Sequence, residues 1–200
     1  MVQLTELLGR TDIYLLDQIM KGRYAPGDRI LDAGAGGGRN LHWFVQQGCR
    51  VYGTDRDPAA VEALRHYYPG LPADSFQVAA VEALPFADGY FHHIICCAVL
   101  HFAEDEAHFA QMFGELARVL RPGGSLFLRI ATDIGLADKM SPLGQGRFTM
   151  PDGTDRFLLQ RPAFEALMQE HGLHYLEPFK TVVVDELRAM TALVVGKALA

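Results

Sequence analysis

The sequence is poor in the features of secreted and membrane-spanning proteins. Its 200 residues include only three cysteines, Cys49, Cys96 and Cys97, which are too few for a disulfide framework and favour a reducing compartment. The longest apolar stretch, near Ile94 to Leu100, is far shorter than the roughly 20 residues of a membrane span. The N-terminus lacks the basic and apolar regions of a signal peptide. These absences predict a cytoplasmic protein without a membrane segment.

Basic residues are also in the minority, since 18 Lys and Arg face 24 Asp and Glu, giving a net charge of -6. Such a surface has no general attraction for phosphate backbones, so nucleic acid is not expected as the main partner. Half of the residues are hydrophobic and 21% are charged, which argues against intrinsic disorder. The length suits one domain with its own core. The oligomeric state stays open.

Strand-like and helix-like segments alternate along the chain. Strands are predicted at Arg29–Ala33, Arg50–Thr54, Ser75–Val78, Phe91–Cys97, Ser125–Ala131, Leu173–Val184 and Leu187–Gly196. Helices are predicted within Leu4–Met20, Asn40–Gln47, Asp57–Tyr67, Glu104–Leu120 and Pro162–Glu170, and a turn at Arg121–Gly124. No helix separates the last two strands, so they should form an antiparallel hairpin. The pattern predicts a doubly wound α/β fold with a seven-stranded, mostly parallel sheet.

Residues 132–158 interrupt this alternation with glycines and prolines among polar side chains. The segment is longer than an ordinary connection, and such segments often cover a functional site. We predict a lid or substrate cover over 132–158 and a helical cover over 1–25. No linker separates a second domain, so residues 1–200 should form a single one.

A glycine-rich turn, D-A-G-A-G-G-G at residues 32–38, follows the first predicted strand. Glycines let a ligand approach the backbone, and the N-terminus of the next helix favours a negative group. A dinucleotide fingerprint, G-x-G-x-x-G, would need a third glycine where the sequence has Arg39 or Leu41. The turn therefore favours another cofactor over a nicotinamide nucleotide, although a merely structural turn is the simpler alternative.

The turn matches the pattern acidic-x-G-x-G-x-G, and it is followed by an acidic strand end at Asp55, by L-P-F-x-D-x-x-F at Leu84–Phe91 and by the loop Leu120–Gly124. In this order the segments resemble the class I S-adenosylmethionine-dependent methyltransferases over roughly Asp28–Ile130. The resemblance implies a Rossmann-like fold and methyl transfer from S-adenosylmethionine. We expect a small-molecule acceptor, because the single domain carries no appended recognition module.

The resemblance also implies roles for residues of the turn and of the fourth strand. The turn would wrap the methionyl part of the cofactor through Gly34, Gly36 and Gly38. Asp32 would hold the cofactor amino group, directly or through water. Cys97, at the end of the fourth strand, would border the methionyl group, although Cys96 and Cys97 are otherwise typical of small core residues on opposite strand faces.

Asp55 is placed to bind the cofactor ribose, because one carboxylate accepts hydrogen bonds from both ribose hydroxyls at a neighbouring strand end. Its alternative role is to cap the next helix, a position that Asp57 fits better. Arg56 would lie against the adenine.

The sequence departs from the family at two positions that commonly carry Asp, where it has Ala80 and His92. The backbone of Val81 or the carboxylate of Glu82 would then replace the adenine contact. These departures keep open a second hypothesis, a non-catalytic sensor or interaction domain that binds S-adenosylmethionine.

Half of the eight histidines fall between positions 92 and 108, but no metal-ligand spacing accompanies them, so no metal site is predicted. His92, His93 and His108 are interpreted as ordinary strand and helix residues. His101 differs because it follows the fourth strand at the edge where α/β sheets bind ligands. It is a candidate for contact with the acceptor or for a catalytic base, and no other catalytic residue is assigned.

Overall fold

The chain alternates strands and helices as predicted, and the computed structural model describes residues 4–199. The helices are α1 (Leu4–Leu8), α2 (Ile13–Met20), α3 (His42–Gln46), α4 (Pro58–Tyr67), α5 (Glu106–Val119) and α6 (Arg161–Glu170). The strands are β1 (Arg29–Ala33), β2 (Arg50–Asp55), β3 (Phe76–Val78), β4 (Phe91–Cys97), β5 (Leu120–Ala131), β6 (Ser141–Gly144), β7 (Arg147–Thr149), β8 (Asp155–Phe157), β9 (Leu173–Tyr175), β10 (Lys180–Val184) and β11 (Arg188–Lys197). The helices predicted within Leu4–Met20 are present as α1 and α2. Residues 1–3 of the predicted cover over 1–25 lie outside the described residues.

The central sheet has the strand order β10-β11-β5-β4-β1-β2-β3. Strands β1 to β5 run parallel, and β11 lies antiparallel to both β5 and β10. The chain moves outward in one direction from β1 and in the other from β4. Ligands in such sheets bind at the carboxyl ends of the two strands beside this switch point. The topology therefore directs attention to the residues that follow β1 and β4.

The predicted strand at Leu173–Val184 is divided into β9 and β10, which both pair with β11. The backbone N–H groups of Leu176 and Glu177 both donate to the carbonyl of Val194, at 2.8 and 3.4 Å. Two residues thus oppose one, and Pro178 follows without an N–H group to continue the ladder. The antiparallel C-terminal hairpin itself is confirmed.

Two further differences concern segments that the sequence indicated as turn or cover. The predicted turn at Arg121–Gly124 belongs to β5, where the pairing with β4 shifts register between Phe91 and His93. Residues 132–158 contain a small antiparallel sheet, β6-β7-β8. Their buried apolar residues pack against the ends of β5 and β11, in a cluster formed by Ala131, Leu136, Met150, Leu158 and Ala189.

The core has two layers, one on each face of the sheet. One cluster includes Phe109 of α5 and Phe164 of α6. The other includes Phe44 of α3 and Leu64 of α4. Cys96 belongs to the first cluster and Cys97 to the second. The adjacent cysteines therefore do lie on opposite faces of β4, as the period of a strand requires.

Gly38 tests how closely the glycine turn is packed on this core. Its φ is +72°, and an added Cβ would lie 2.5 Å from Cδ2 of Leu64, which is buried in α4. We expect Gly38→Ala to lower the free energy of unfolding by about 1–3 kcal/mol in urea denaturation. The matched control is Gly37→Ala, where the added Cβ meets no atom within 4 Å. Equal effects of the two substitutions would contradict the packing argument.

Candidate functional site

The glycine turn between β1 and α3 lies beside the switch point of the sheet. Three of its glycines have positive φ, 76° at Gly34, 51° at Gly36 and 72° at Gly38, whereas Gly37 does not. These are the three glycines of the motif, so the pattern follows a backbone requirement. The N–H groups of Gly34 and Ala35 both donate to the Thr54 carbonyl at 2.8 Å, which ties the turn to the end of β2.

Asp55, the last residue of β2, connects the glycine turn with the start of α4. Its Oδ2 accepts from the backbone N–H of Gly36 at 2.8 Å, and its Oδ1 accepts from Asp57 N–H at 3.0 Å. The helix itself is capped by Asp57, whose Oδ1 accepts from Ala59 N–H at 2.9 Å. The alternative of Asp55 as the side-chain cap is therefore wrong. Each Asp55 oxygen keeps a lone pair for a further donor.

Asp32, in β1, is a buried carboxyl without a full set of partners. It is 1% exposed, and its Oδ2 forms no hydrogen bond. Burial raises the pKa of Asp32 to about 7, an effect that the positive charge of Arg39 opposes and the negative charge of Asp55 reinforces. An ammonium group close to this carboxyl would favour its ionised form.

One cavity of about 230 Å³ opens on the α5 side of the turn. It contains four of the predicted cofactor residues besides the first glycine of the motif, and its lining is Gly34, Asp55, Arg56, Ala79, Ala80, Val81, Glu82, Ala98, Val99, Phe102, His108 and Met112. We call it the α5-side cavity. Its lining is mostly apolar and includes the carboxylates of Asp55 and Glu82, a combination that suits a heterocycle attached to a sugar.

His108 is a residue of this cavity that the sequence interpretation treated as an ordinary helix residue. Its Nε2 lies 3.5 Å from Oε2 of Glu82, and its Nδ1 accepts from the backbone N–H of Glu104 at 3.2 Å. The signal that could have found it is topological, because α5 follows β4 and therefore starts at the ligand-binding edge.

A second, wider cavity of about 970 Å³ lies on the other side of the turn, toward α1 and α2. Its lining contains all four glycines of the turn, and consists of Glu6, Gly9, Arg10, Gly34, Ala35, Gly36, Gly37, Gly38, Arg39, Asn40, His42, Tyr67, Tyr68, Cys97 and Ala98. We call it the α1-side cavity. Arg39 donates to Sγ of Cys97 at 2.9 Å. Burial raises the pKa of the Cys97 thiol to about 12, so Cys97 stays protonated and serves as a wall.

A third cavity, of about 290 Å³, lies between the carboxyl end of β5, the β6-β7-β8 segment and the C-terminal hairpin. Its lining is Ala98, His101, Arg129, Ala131, Met150, Asp152, Thr154, Arg156, Val182, Val184, Arg188, Ala189 and Met190. We call it the hairpin cavity. Two residues singled out from the sequence line it: His101, and Arg156 from the predicted cover over 132–158. Arg129 could have been found as the polar residue near the carboxyl end of the fifth strand.

His101 lies in a short 3-10 turn at Leu100–Phe102, directly after β4. It is 6% exposed, and its Nδ1 is buried without a hydrogen-bond partner. Burial, followed by the nearby charge of Arg156, lowers the pKa of His101 to about 4. The ring is thus neutral at neutral pH.

Ala98 is the one residue that lines all three cavities. It follows β4 at the switch point, has a φ of 63° and donates its backbone N–H to the Arg129 carbonyl at 2.8 Å. A non-glycine residue in this conformation costs of order 1–3 kcal/mol and often marks a functional site. Because the Ala98 side chain is small, it separates the three cavities by little more than a methyl group.

Other kinds of site were sought in the same part of the chain. Among residues 4–199, no three His, Cys, Asp or Glu side chains are grouped in a way that could hold a metal ion. Within the same range, every helix is too short or too polar to cross a bilayer.

Residues 31–128, which include most of β1, all of β2 to β4 and most of β5, match the model of a family described as a methyltransferase domain. The chain therefore belongs to the class I S-adenosylmethionine-dependent methyltransferases. A curated relative, malonyl-[acyl-carrier protein] O-methyltransferase from Enterobacter lignolyticus, is 28% identical over 96% of this chain and 72% of its own length. The chain spans only 30% to 36% of the length of the first curated relatives that it matches, which are uncharacterised proteins.

Solved structures agree on the fold. An S-adenosylmethionine-dependent methyltransferase from Methanosarcina mazei has a TM-score of 0.75 at 20% identity and covers 91% of this chain and 98% of its own. The 1,6-didemethyltoxoflavin-N1-methyltransferase of Burkholderia thailandensis, solved with its substrate and S-adenosylhomocysteine, has a TM-score of 0.67 at 18% identity and covers 92% and 76%.

The buried carboxyl of Asp32 makes the stability of the free protein depend on pH. Since its folded pKa of about 7 lies above the ordinary 3.8, folding becomes less favourable as pH rises from about 4 to 7. Asp32→Asn should therefore be more stable than the native chain at pH 8, by about 1–4 kcal/mol. Chemical denaturation at pH 5, 6.5 and 8 checks this.

The control is Asp74→Asn, which makes the same substitution at an exposed acid and measures how far the loss of a surface charge alone affects stability at each pH. A stability difference for Asp32→Asn that does not grow with pH would contradict an elevated pKa.

Proposed function

We propose that this chain transfers a methyl group from S-adenosylmethionine to a small-molecule acceptor. The observation that carries the proposal is the meeting of three cavities at Ala98. Two of them flank the glycine turn and together offer room for a two-part cofactor. The third also reaches Ala98, so an acceptor bound in it would lie next to the cofactor, as in-line transfer requires.

The methionyl part of the cofactor fits the α1-side cavity. Positive φ at Gly34, Gly36 and Gly38 exposes backbone without side chains, so a ligand can approach closely. The unpartnered Oδ2 of Asp32 is suited to the cofactor ammonium group, directly or through water. Cys97 contributes an uncharged wall.

The adenosine part fits the α5-side cavity. Asp55 would accept from the ribose hydroxyls with the lone pairs that Gly36 and Asp57 leave free. Val81, Met112 and Phe102 supply apolar contacts for the adenine, and Arg56 lies at the exposed side. Glu82 offers the carboxylate that Ala80 lacks, and His108 is close enough to orient it.

When bound, S-adenosylmethionine supplies a sulfonium methyl whose bond to sulfur breaks as the acceptor lone pair attacks the methyl carbon. The protein then has to position the acceptor and exclude water, and it needs a base only for an acceptor that carries its proton. His101 is neutral at neutral pH, so its role would be to accept or donate a hydrogen bond. The small-sheet segment at 132–158 and the N-terminal helices would cover the reacting groups.

Two features of the chain and its relatives support the remaining parts of the proposal. Cys49, Cys96 and Cys97 are free thiols, as a reducing, cytoplasmic environment favours. The Burkholderia neighbour was solved with a small-molecule substrate, which supports a small acceptor here. Residues 1–200 would act as one domain.

Asp55→Ala should weaken binding of S-adenosylhomocysteine by about 10- to 100-fold, because it removes hydrogen bonds between a charged group and the ribose hydroxyls. Isothermal titration with S-adenosylmethionine, S-adenosylhomocysteine and NAD measures the effect. Asp57→Ala is the matched control, since it removes the neighbouring carboxylate that only caps α4.

Unchanged affinity in a folded Asp55→Ala variant would overturn the role of Asp55. Preferential binding of NAD by the native chain would overturn the proposed function. Tight cofactor binding without methyl transfer to any acceptor in a broad screen would favour the non-catalytic alternative instead.

A further inference from the structure

The hairpin cavity combines apolar walls with an excess of positive charge. Its three arginines, Arg129, Arg156 and Arg188, face one acidic side chain, Asp152. Arg129 is neutralised by an ion pair with the buried Asp12. Two guanidinium groups therefore remain beside a cavity of about 290 Å³ whose apolar lining consists of methionine, valine and alanine side chains and whose other polar residues are His101, Asp152 and Thr154.

Neither of these two guanidinium groups forms an ion pair with a carboxylate of residues 4–199. Arg156 donates from Nη1 to the carbonyl of Asp155 at 2.7 Å and lies 4.9 Å from the ring centre of Phe102. Most of its five N–H donors thus stay available. The Phe102 ring, which also lines the α5-side cavity, fixes the guanidinium near the junction of the cavities.

Asp152 offsets only part of this charge. The hydroxyl of Thr154 and, to a smaller extent, the charges of Arg156 and Arg188 lower the pKa of Asp152, so it contributes one negative charge beside the two guanidinium groups. Its Oδ1 accepts from both the backbone N–H and the hydroxyl of Thr154, at 3.0 and 2.6 Å. Those bonds direct the carboxylate into the turn after β7. With two guanidinium groups and one carboxylate, the cavity carries a net positive charge, and an anionic ligand would neutralise it.

His101 supplies an independent indication of a ligand. It lines the same cavity, and its Nδ1 is buried with no partner. Leaving such an atom unsatisfied costs about 1–3 kcal/mol, and a polar group of a bound molecule would remove that cost. Because Nδ1 is buried, bulk water cannot serve as its partner.

We propose that the hairpin cavity binds a small acceptor that carries an anionic group, a carboxylate or a phosphate, and that Arg156 and Arg188 hold that group. The inference rests on the proposed function, since it identifies the third cavity as the acceptor site. The apolar walls select a hydrophobic body attached to the anion. Arg188, the first residue of β11, and Arg156, in β8, belong to separate segments, so the anion would also fasten the small sheet to the hairpin.

The test uses the chain saturated with S-adenosylhomocysteine and matched fragments that differ only in charge. The pairs are benzoate and benzamide, phenylacetate and phenylacetamide, and hexanoate and hexanamide. Phenyl phosphate distinguishes a phosphate from a carboxylate preference. Ligand-observed NMR and calorimetry should show that the anions bind at least tenfold more tightly than the amides.

Arg156→Gln and Arg188→Gln should each weaken binding of the anion about tenfold or more, because a charge-assisted hydrogen bond is lost, and leave the amides nearly unaffected. The control is Arg121→Gln, which removes an exposed charge at the opposite end of β5. If the effect of the arginines were long-range, this variant would weaken binding equally.

The proposal is overturned if no anion binds, if the amides bind as well as the anions, or if Arg156→Gln and Arg188→Gln act no more strongly than Arg121→Gln. Titration with S-adenosylhomocysteine separates these outcomes from a failure of the proposed function. A chain that does not bind this product at all contradicts the function itself, whereas a chain that binds it without preferring anions contradicts only the acceptor class.

Discussion

The buried carboxylate of Asp12 holds together the edge of the sheet on which all three cavities depend. It is 3% exposed and forms ion pairs with Arg39 of the glycine turn, at 3.5 Å, and with Arg129 of β5. Its backbone N–H donates to Asn40 at 3.1 Å, and its Oδ1 caps α2 through Tyr14 N–H. A buried carboxylate is stable only with such partners. One residue thus fixes the N-terminal helices, the turn and the base of the hairpin cavity relative to each other.

The acids around the glycine turn differ because their partners differ. Asp55 accepts hydrogen bonds from two backbone N–H groups and is half-buried. These N–H groups take the place of water around its carboxylate. Asp32 is fully buried and keeps one oxygen without a partner. Desolvation therefore dominates at Asp32 and raises its pKa. Of the two, Asp32 gains more from a positively charged ligand.

The sequence was sufficient to predict the parallel sheet, the glycine turn and the residues around it, because these depend on local backbone requirements. Gly34, Gly36 and Gly38 are readable since each needs a positive φ. Arg156 could be predicted only as part of the cover over 132–158, and Arg188 not at all, because the cavity that both line forms where the small sheet meets the C-terminal hairpin. Likewise, nothing local distinguishes Ala98 from a core alanine, and its significance comes from the cavities that meet beside it.

The cavities that the sequence predicts and those that it does not are formed by different parts of the chain. The α5-side cavity lies entirely within residues 34–112, inside the range 31–128 that matches the family. All residues of the hairpin cavity except Ala98 and His101 follow position 128. A shared cofactor demands the same turn and strand ends in every member, whereas the acceptor is met by segments that pack onto the sheet afterwards. Family membership therefore constrains the glycine turn and the α5-side cavity. The chemistry of the acceptor has to be inferred from the arginines, the buried imidazole and the apolar walls of this particular chain.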